Sequence, residues 1–180
     1  MLKDKKCIDF HAHPVTDSFR KAMVDLGIDP IEEDGFPLPK WSAEEHLAFM
    51  EEAGIDYSVL SAPVPHIYNG DASKARKAAR EINDGVAETV RRRSDRFGFV
   101  GLVPLPDVDG ALAETDYVLD ELGAAGVKVA TNMGGRLSWE PDLRSGYGGM
   151  ESEKSAGYYP SLPGAAAAGT CDYRNGRGDI

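Results

Sequence analysis

Cysteine is scarce in this 180-residue sequence. Cys7 and Cys171 stand far apart, and no C-x-x-C pair occurs. This scarcity argues against both a disulfide framework and a zinc site built from thiolates. Because Cys7 begins an apolar run, we expect it to be a buried strand residue.

Long apolar runs are missing as well. No stretch approaches the roughly 18 apolar residues that mark a membrane-spanning helix, and the amino terminus lacks the apolar segment of a signal peptide. We therefore expect a cytoplasmic protein without a membrane partner.

Positive charge is in the minority. The 20 Lys and Arg residues are outnumbered by 30 Asp and Glu residues, which gives a formal net charge of −10. The one basic run, at residues 91–93, is too short for a footprint on a phosphate backbone. Nucleic acid is therefore not an expected partner.

The composition changes near Gly135. Up to that point Val, Ile, Leu and Phe recur in short runs, as a globular α/β chain requires. From Arg136 to Gly178 there is no Val, Ile or Phe. We predict two parts, a folded unit at residues 1–135 and an irregular tail at residues 136–180.

Within the first part, strand-like runs alternate with helix-like segments, which predicts an α/β fold with a parallel sheet. A capping box at Ser42 and Glu45 begins one helix, and Gly54 ends it. Two further helices follow from apolar spacing at residues 75–90 and 111–122. Four strands are about half of an eight-stranded β/α barrel, although an open four-stranded sheet fits the pattern too. The predicted strands cover residues 7–11, 57–61, 97–103 and 126–131.

The clearest chemical signal is Asp9-Phe10-His11-Ala12-His13-Pro14 at the end of the first predicted strand. Alternation along a strand places His11 and His13 on one side, together with Asp9. Two imidazoles at this spacing can bind one divalent cation, and the active sites of β/α barrels lie at this end of the strands. The alternative is a pair of ordinary polar residues where the strand ends.

A catalytic zinc usually takes three protein ligands, so the pair needs a further one. His46 is expected to be a surface or packing residue of its helix. His66 follows the second strand and is either a substrate-binding residue or an ordinary loop histidine. Lys128 is expected to lie too early in its strand to reach the catalytic end.

Two other residues are candidates for substrate binding. Trp41 either covers an aromatic substrate or packs as a staple at the start of the following helix. Asn132 follows the fourth strand and either lines a pocket or belongs to a plain turn. No catalytic acid or base can be assigned.

Several segments between Ile8 and about Gly135 together resemble the amidohydrolase-related metal-dependent enzymes. Within that family the resemblance is to the decarboxylase branch, which includes aminocarboxymuconate semialdehyde decarboxylase and the methylsalicylate decarboxylases. The segments that carry it are residues 9–13, 41–44, 53–56, 96–99, 105–112, 126–128 and 131–135.

The resemblance implies a distorted (β/α)8 barrel, a TIM-like fold of which this chain is the amino-terminal half, with one catalytic Zn2+ or another divalent metal. His11 and His13 would be the first two ligands, and the reaction would be non-oxidative decarboxylation of an aromatic or muconate-type carboxylic acid. The family's third histidine and late aspartate have no counterpart in this chain. The resemblance also allows a homodimer.

Three alternatives remain open. A metal-dependent hydrolase of this superfamily would have the same first strand. A chain that carries only part of the site also fits a truncated, inactive remnant. A phosphoesterase of the polymerase-and-histidinol-phosphatase type also begins with H-x-H but requires further metal ligands.

The tail permits a specific hypothesis. Read one nucleotide later from codon 136, one choice of synonymous codons gives G-Y-L-G-N-P and later V-I-I-H-P, which resemble the family's continuation. We therefore hypothesise a frameshift near codon 136; the alternative is a genuinely divergent tail.

Overall fold

The computed structural model describes residues 6–29, 37–63 and 67–129, together with the backbone of three short strands at 132–133, 136–137 and 156–158. The strands are β1 (Ile8–Ala12), β2 (Tyr57–Leu60), β3 (Phe97–Phe99), β4 (Gly101–Leu102), β5 (Gly126–Lys128), β6 (Asn132–Met133), β7 (Arg136–Leu137) and β8 (Ala156–Tyr158). The helices are α1 (Asp17–Leu26), α2 (Ala43–Ala53), α3 (Ala72–Arg92) and α4 (Val108–Asp116), the last continuing as a π-helical turn over Tyr117–Glu121.

The predicted strands pair in parallel, as the sequence predicts. One sheet has the order β1-β2-β3 and a second has the order β4-β5-β8, while β6 and β7 form an antiparallel pair. Only Val100 separates β3 from β4, and its N–H donates to the carbonyl of Leu60 (3.0 Å). The predicted third strand is thus one extended run that pairs first with β2 and then with β5. Within the described residues these strands do not close into a barrel.

Local signals set the ends of α2 as predicted. The Ser42 hydroxyl accepts a hydrogen bond from the Glu45 N–H (3.2 Å), and Gly54 ends the helix at φ 69°, a conformation that favours glycine. Helix α1 was not predicted, although it has the same signals. Thr16 caps its first turn, and Gly27 ends it at φ 69°.

The helices pack against the strands, and the apolar core combines residues of both. Asn83 of α3 ties this layer to the sheet, because its side chain donates to the carbonyl of Leu102 (2.9 Å) and accepts from the Leu102 N–H (2.8 Å). The same amide donates to Glu114 (2.8 Å), which also pairs with Arg80. The core residues next to this link include Leu60, Phe97, Phe99, Met50, Val86, Ala111, Val118, Val127 and Val129.

Strand β1 differs from expectation in its exposure. Cys7 precedes the strand and is exposed, so the prediction of a buried thiol is wrong. The side chains of Ile8 and Phe10 are 51% and 57% exposed. In the described part of the chain β1 pairs only with β2, which leaves its other edge uncovered.

The predicted tail is described only in part. Strands β7 and β8 lie within residues 136–180, and β8 pairs with β5. The remainder of that segment lies outside the described residues, so the division at residue 135 stays a prediction. No helix in the described part has the length and apolar character of a membrane span.

Candidate metal centre

Two imidazoles converge at the carboxyl end of β1. The Nε2 atoms of His11 and His13 are 3.0 Å apart, and their rings meet edge to face with centroids 4.5 Å apart. Two nitrogens bound to one tetrahedral ion at about 2.0 Å would stand about 3.3 Å apart. The spacing of the pair therefore fits two ligands of one divalent ion.

A main-chain contact orients His13. Its Nδ1 lies 3.0 Å from the carbonyl oxygen of Ser61, just after β2, and 3.3 Å from the Ser61 hydroxyl. A carbonyl oxygen only accepts, so Nδ1 carries the proton and the neutral ring presents a lone pair at Nε2. This is the arrangement in which an outer hydrogen bond fixes a metal-binding histidine.

The surroundings favour the neutral form of His13. Burial lowers the pKa of this ring, and the charges of Lys128 and His11 lower it further, while the Ser61 carbonyl acts in the opposite direction. A lowered pKa leaves the ring free of a second proton at neutral pH, as a metal ligand must be.

Lys128 reaches this end of the strands, contrary to the sequence expectation. Its ammonium group donates to the carbonyl of Ala62 (2.7 Å), which follows β2, and its side chain is 4% exposed. Burial lowers the pKa of Lys128 to about 8. Strand β5 ends at Lys128, whereas the predicted strand continued to residue 131, so Lys128 lies at the carboxyl end of its strand.

The Asp9 carboxylate has hydrogen-bond partners on β1 and β2, and its charge also acts on His13 by raising the pKa of that ring. The register of β1 on β2 shifts between Asp9 and Ala12, so strict alternation does not hold there. The Asp9 carboxylate accepts from the His11 N–H (3.0 Å) and from the Ser58 hydroxyl (3.4 Å). Asp9 therefore holds the backbone of β1.

A third ligand is not present near the pair in the part of the chain that the structure describes. Among those residues, no group of three or more His, Cys, Asp or Glu side chains is placed to hold a metal ion. The described residues therefore supply two candidate ligands, whereas a catalytic zinc usually has three protein ligands.

Trp41 and His46 contact each other at the start of α2. The Trp41 indole N–H donates to Nδ1 of His46 (3.2 Å), and the other ring nitrogen of His46 is 3.2 Å from the Ser58 hydroxyl. The His46 ring also packs edge to face on Phe97, with centroids 5.3 Å apart. His46 is thus a packing residue as predicted, and Trp41 has the staple contact. The role of Trp41 toward a substrate stays a prediction.

The other two candidates cannot be placed in the site. His66 lies outside the described residues. Asn132 begins β6, of which the backbone alone is described. Sequence reasoning missed Ser61 and Ser58, whose contacts depend on the pairing of β1 with β2 and leave no local signal.

The model of the Amidohydrolase family matches residues 8–163. The chain is 33% identical over 129 residues to 6-methylsalicylic acid decarboxylase from Aspergillus aculeatus, which covers 71% of this chain and 38% of that protein.

Solved structures show the same fold. A crystal structure of an amidohydrolase II is 30% identical with a TM-score of 0.76, and the match covers 86% of this chain and 50% of that one. A dihydroxybenzoic acid decarboxylase from Polaromonas sp. JS666, solved with bound manganese, is 22% identical with a TM-score of 0.67, covering 88% of this chain and 51% of that one. This chain spans about half the length of the solved chains it matches. With a match that covers most of its length, and with the paired histidines at the end of its first strand, the chain belongs to the Amidohydrolase family.

Proposed function

We propose that the chain carries part of the active site of a metal-dependent, non-oxidative decarboxylase of an aromatic carboxylic acid. The observation that carries this proposal is the His11–His13 pair, with its Nε2 atoms 3.0 Å apart and His13 oriented by Ser61. The 33% identity to 6-methylsalicylic acid decarboxylase supports an aromatic acid as substrate.

The histidines would hold the ion through their Nε2 atoms. A bound divalent metal would supply positive charge that orients and polarises the carboxylate or hydroxyl oxygens of the substrate. The manganese in the Polaromonas neighbour makes Mn2+ a choice for testing beside the Zn2+ that the sequence suggests.

Lys128 adds charge at the same place. The charge of its buried ammonium group lowers the pKa of His13. The same charge contributes positive potential where an aromatic carboxylate would lie. In the reaction the bond from the ring carbon to the carboxyl carbon breaks, carbon dioxide leaves, and the electron pair on the ring carbon takes a proton. No oxidant is required.

The test uses the full 180-residue chain, loaded in turn with Mn2+ and Zn2+. It measures carbon dioxide release and the phenolic product from 6-methylsalicylate and 2,6-dihydroxybenzoate. The control is the double variant His11→Asn/His13→Asn. Metal binding and turnover that both depend on the pair support the proposal; turnover that survives in the double variant contradicts it.

A hydrolase of the same superfamily is a different outcome of this test. It would bind metal at the same pair, leave both aromatic acids intact and hydrolyse a simple ester or amide instead. That result would keep the metal centre and reject decarboxylation.

An inactive remnant is the second candidate, favoured by the presence of only two candidate ligands among the described residues and by the exposed Ile8 and Phe10 on β1. An inactive remnant would bind no stoichiometric metal and would turn over neither aromatic acid. Sequencing the DNA around codon 136 tests the frameshift hypothesis directly, since a nucleotide sequence that cannot encode the family-like continuation in the shifted frame rejects it.

A further inference from the structure

A chain of hydrogen bonds leads from the start of α2 to the backbone of the histidine pair. It joins the Trp41 indole to His46, His46 to Ser58, Ser58 to Asp9, and Asp9 to the N–H of His11. The four contacts measure 3.2, 3.2, 3.4 and 3.0 Å in that order.

The direction of this chain follows from its donors. An indole N–H only donates, so Nδ1 of His46 accepts and the neutral ring carries its proton on Nε2. That N–H donates to the Ser58 oxygen, which leaves the Ser58 hydroxyl hydrogen for Asp9. Each member donates to the next, so the Trp41 indole fixes the tautomer of His46.

The surroundings of Ser58 and His46 favour this direction of hydrogen-bond donation. Ser58 is fully buried, so its hydroxyl has to find partners inside the protein. Burial lowers the pKa of His46, which keeps the ring neutral and preserves one donor and one acceptor. A charged ring would have to donate at both nitrogens and would oppose the indole N–H.

The far end of the chain lies where the strand is irregular. The register shift between Asp9 and Ala12 leaves the His11 N–H bonded to the Asp9 carboxylate. The Asp9 carboxylate therefore accepts from the His11 N–H through one oxygen and from the Ser58 hydroxyl through the other.

We propose that Trp41, His46 and Ser58 are positioning residues that fix Asp9, and through it the backbone of His11, so that the histidine pair is preset for one divalent ion. This inference rests on the metal centre of the proposed function. It adds a positioning role for Trp41 before α2, for His46 on α2 and for Ser58 on β2.

Paired variants of His46 separate positioning from packing. His46→Phe keeps a ring against Phe97 but removes both hydrogen bonds, whereas His46→Gln loses the ring and keeps an N–H for Ser58. Positioning predicts that the Gln variant binds Mn2+ better than the Phe variant. A purely structural role predicts the reverse order, following the thermal stability of the two variants.

Calorimetric titration with Mn2+ measures how far each variant weakens binding of the ion. We expect Ser58→Ala and His46→Phe to weaken binding about tenfold or more, as for other residues that orient metal ligands. The control is Thr115→Val, which removes a buried hydroxyl that donates to the Ala111 carbonyl within α4 (2.7 Å). Affinities of the Ser58 and His46 variants equal to that of the control would overturn the proposal.

Nuclear magnetic resonance of the metal-free chain makes the test independent of metal binding. We expect His46 in the Nε2–H tautomer, a mixture of tautomers in Trp41→Phe, and changed ring signals of His11 in Ser58→Ala but not in Thr115→Val. A wild-type chain that binds no Mn2+ rejects the proposed metal centre alone. An Nδ1–H tautomer of His46, or His11 signals that no variant alters, rejects the positioning role.

Discussion

The ammonium group of Lys128 lies 2.7 Å from the carbonyl oxygen of Ala62, so a buried charge on β5 contacts the segment that follows β2. One hydrogen bond compensates only in part for the lost hydration of an ammonium group, and burial lowers the pKa of Lys128 to about 8. The buried charge of Lys128 therefore lowers the free energy of unfolding, a cost that is typical of functional positions rather than structural ones.

Replacing this charge is therefore expected to stabilise the fold. Lys128→Met should raise the free energy of unfolding at pH 7 by about 1 to 3 kcal/mol, because the apolar side chain has no charge to desolvate. The gain is largest below pH 8 and disappears as the pH rises toward 10.5, where the wild-type lysine is neutral in both states. Urea unfolding of both proteins between pH 7 and 10 measures it, and a less stable variant at pH 7 would contradict the explanation.

The Asn83 amide should be hard to replace. Asn83→Leu keeps the approximate size but leaves both main-chain groups of Leu102 and one contact of Glu114 unsatisfied in the core. We expect a loss of about 2 to 4 kcal/mol in the free energy of unfolding. The neighbouring Asp84→Asn, at an exposed residue of the same helix, serves as the control and should change stability little.

Acid should destabilise the chain through two of its histidines. Burial lowers the pKa of His13 and of His46 in the folded state. The unfolded chain therefore binds more protons as the pH falls below about 6.5, and the stability present above that pH is lost on the way down through the folded pKa values. Urea unfolding at pH 8, 7 and 6 measures the slope. The double variant His13→Gln/His46→Gln should flatten the curve, and an unchanged slope would count against these two residues as the cause.

The exposed edge of β1 should promote self-association. Ile8 is 51% exposed beside an edge that has no described partner strand. Ile8→Lys should reduce light scattering of the concentrated chain, because a charge on an edge strand opposes pairing with another copy. Val24→Lys is the matched control, since Val24 is 78% exposed but lies on helix α1. Equal effects of the two variants would indicate general solubility instead.

Much of this fold could be predicted because its signals are local. The capping box at Ser42 and the glycine at Gly54 act within a few residues of chain, so they mark the same helix ends in sequence and in structure. The His11–His13 pair was predicted for the same reason, since a spacing of two residues brings side chains together in any strand.

Other features depended on pairing between distant segments. The register shift between Asp9 and Ala12 and the contact of Asp9 with Ser58 exist only against β2, so the sequence of β1 alone could not predict them. The prediction for Lys128 was wrong because the strand was expected to continue to residue 131, whereas β5 ends at Lys128 and its ammonium group contacts the segment after β2. The contact of His46 Nε2 likewise requires Ser58, which is 12 residues away in sequence.

Among the described residues, strand β1 carries both the histidine pair and an edge of its sheet that pairs with no other strand. A strand that paired with this edge would restrain the same backbone from which His11 and His13 extend. Strand pairing on β1 and the arrangement of the two imidazoles are therefore thermodynamically linked. A strand that pairs with β1 would stabilise that arrangement, and an ion bound by both imidazoles would in turn stabilise the paired sheet.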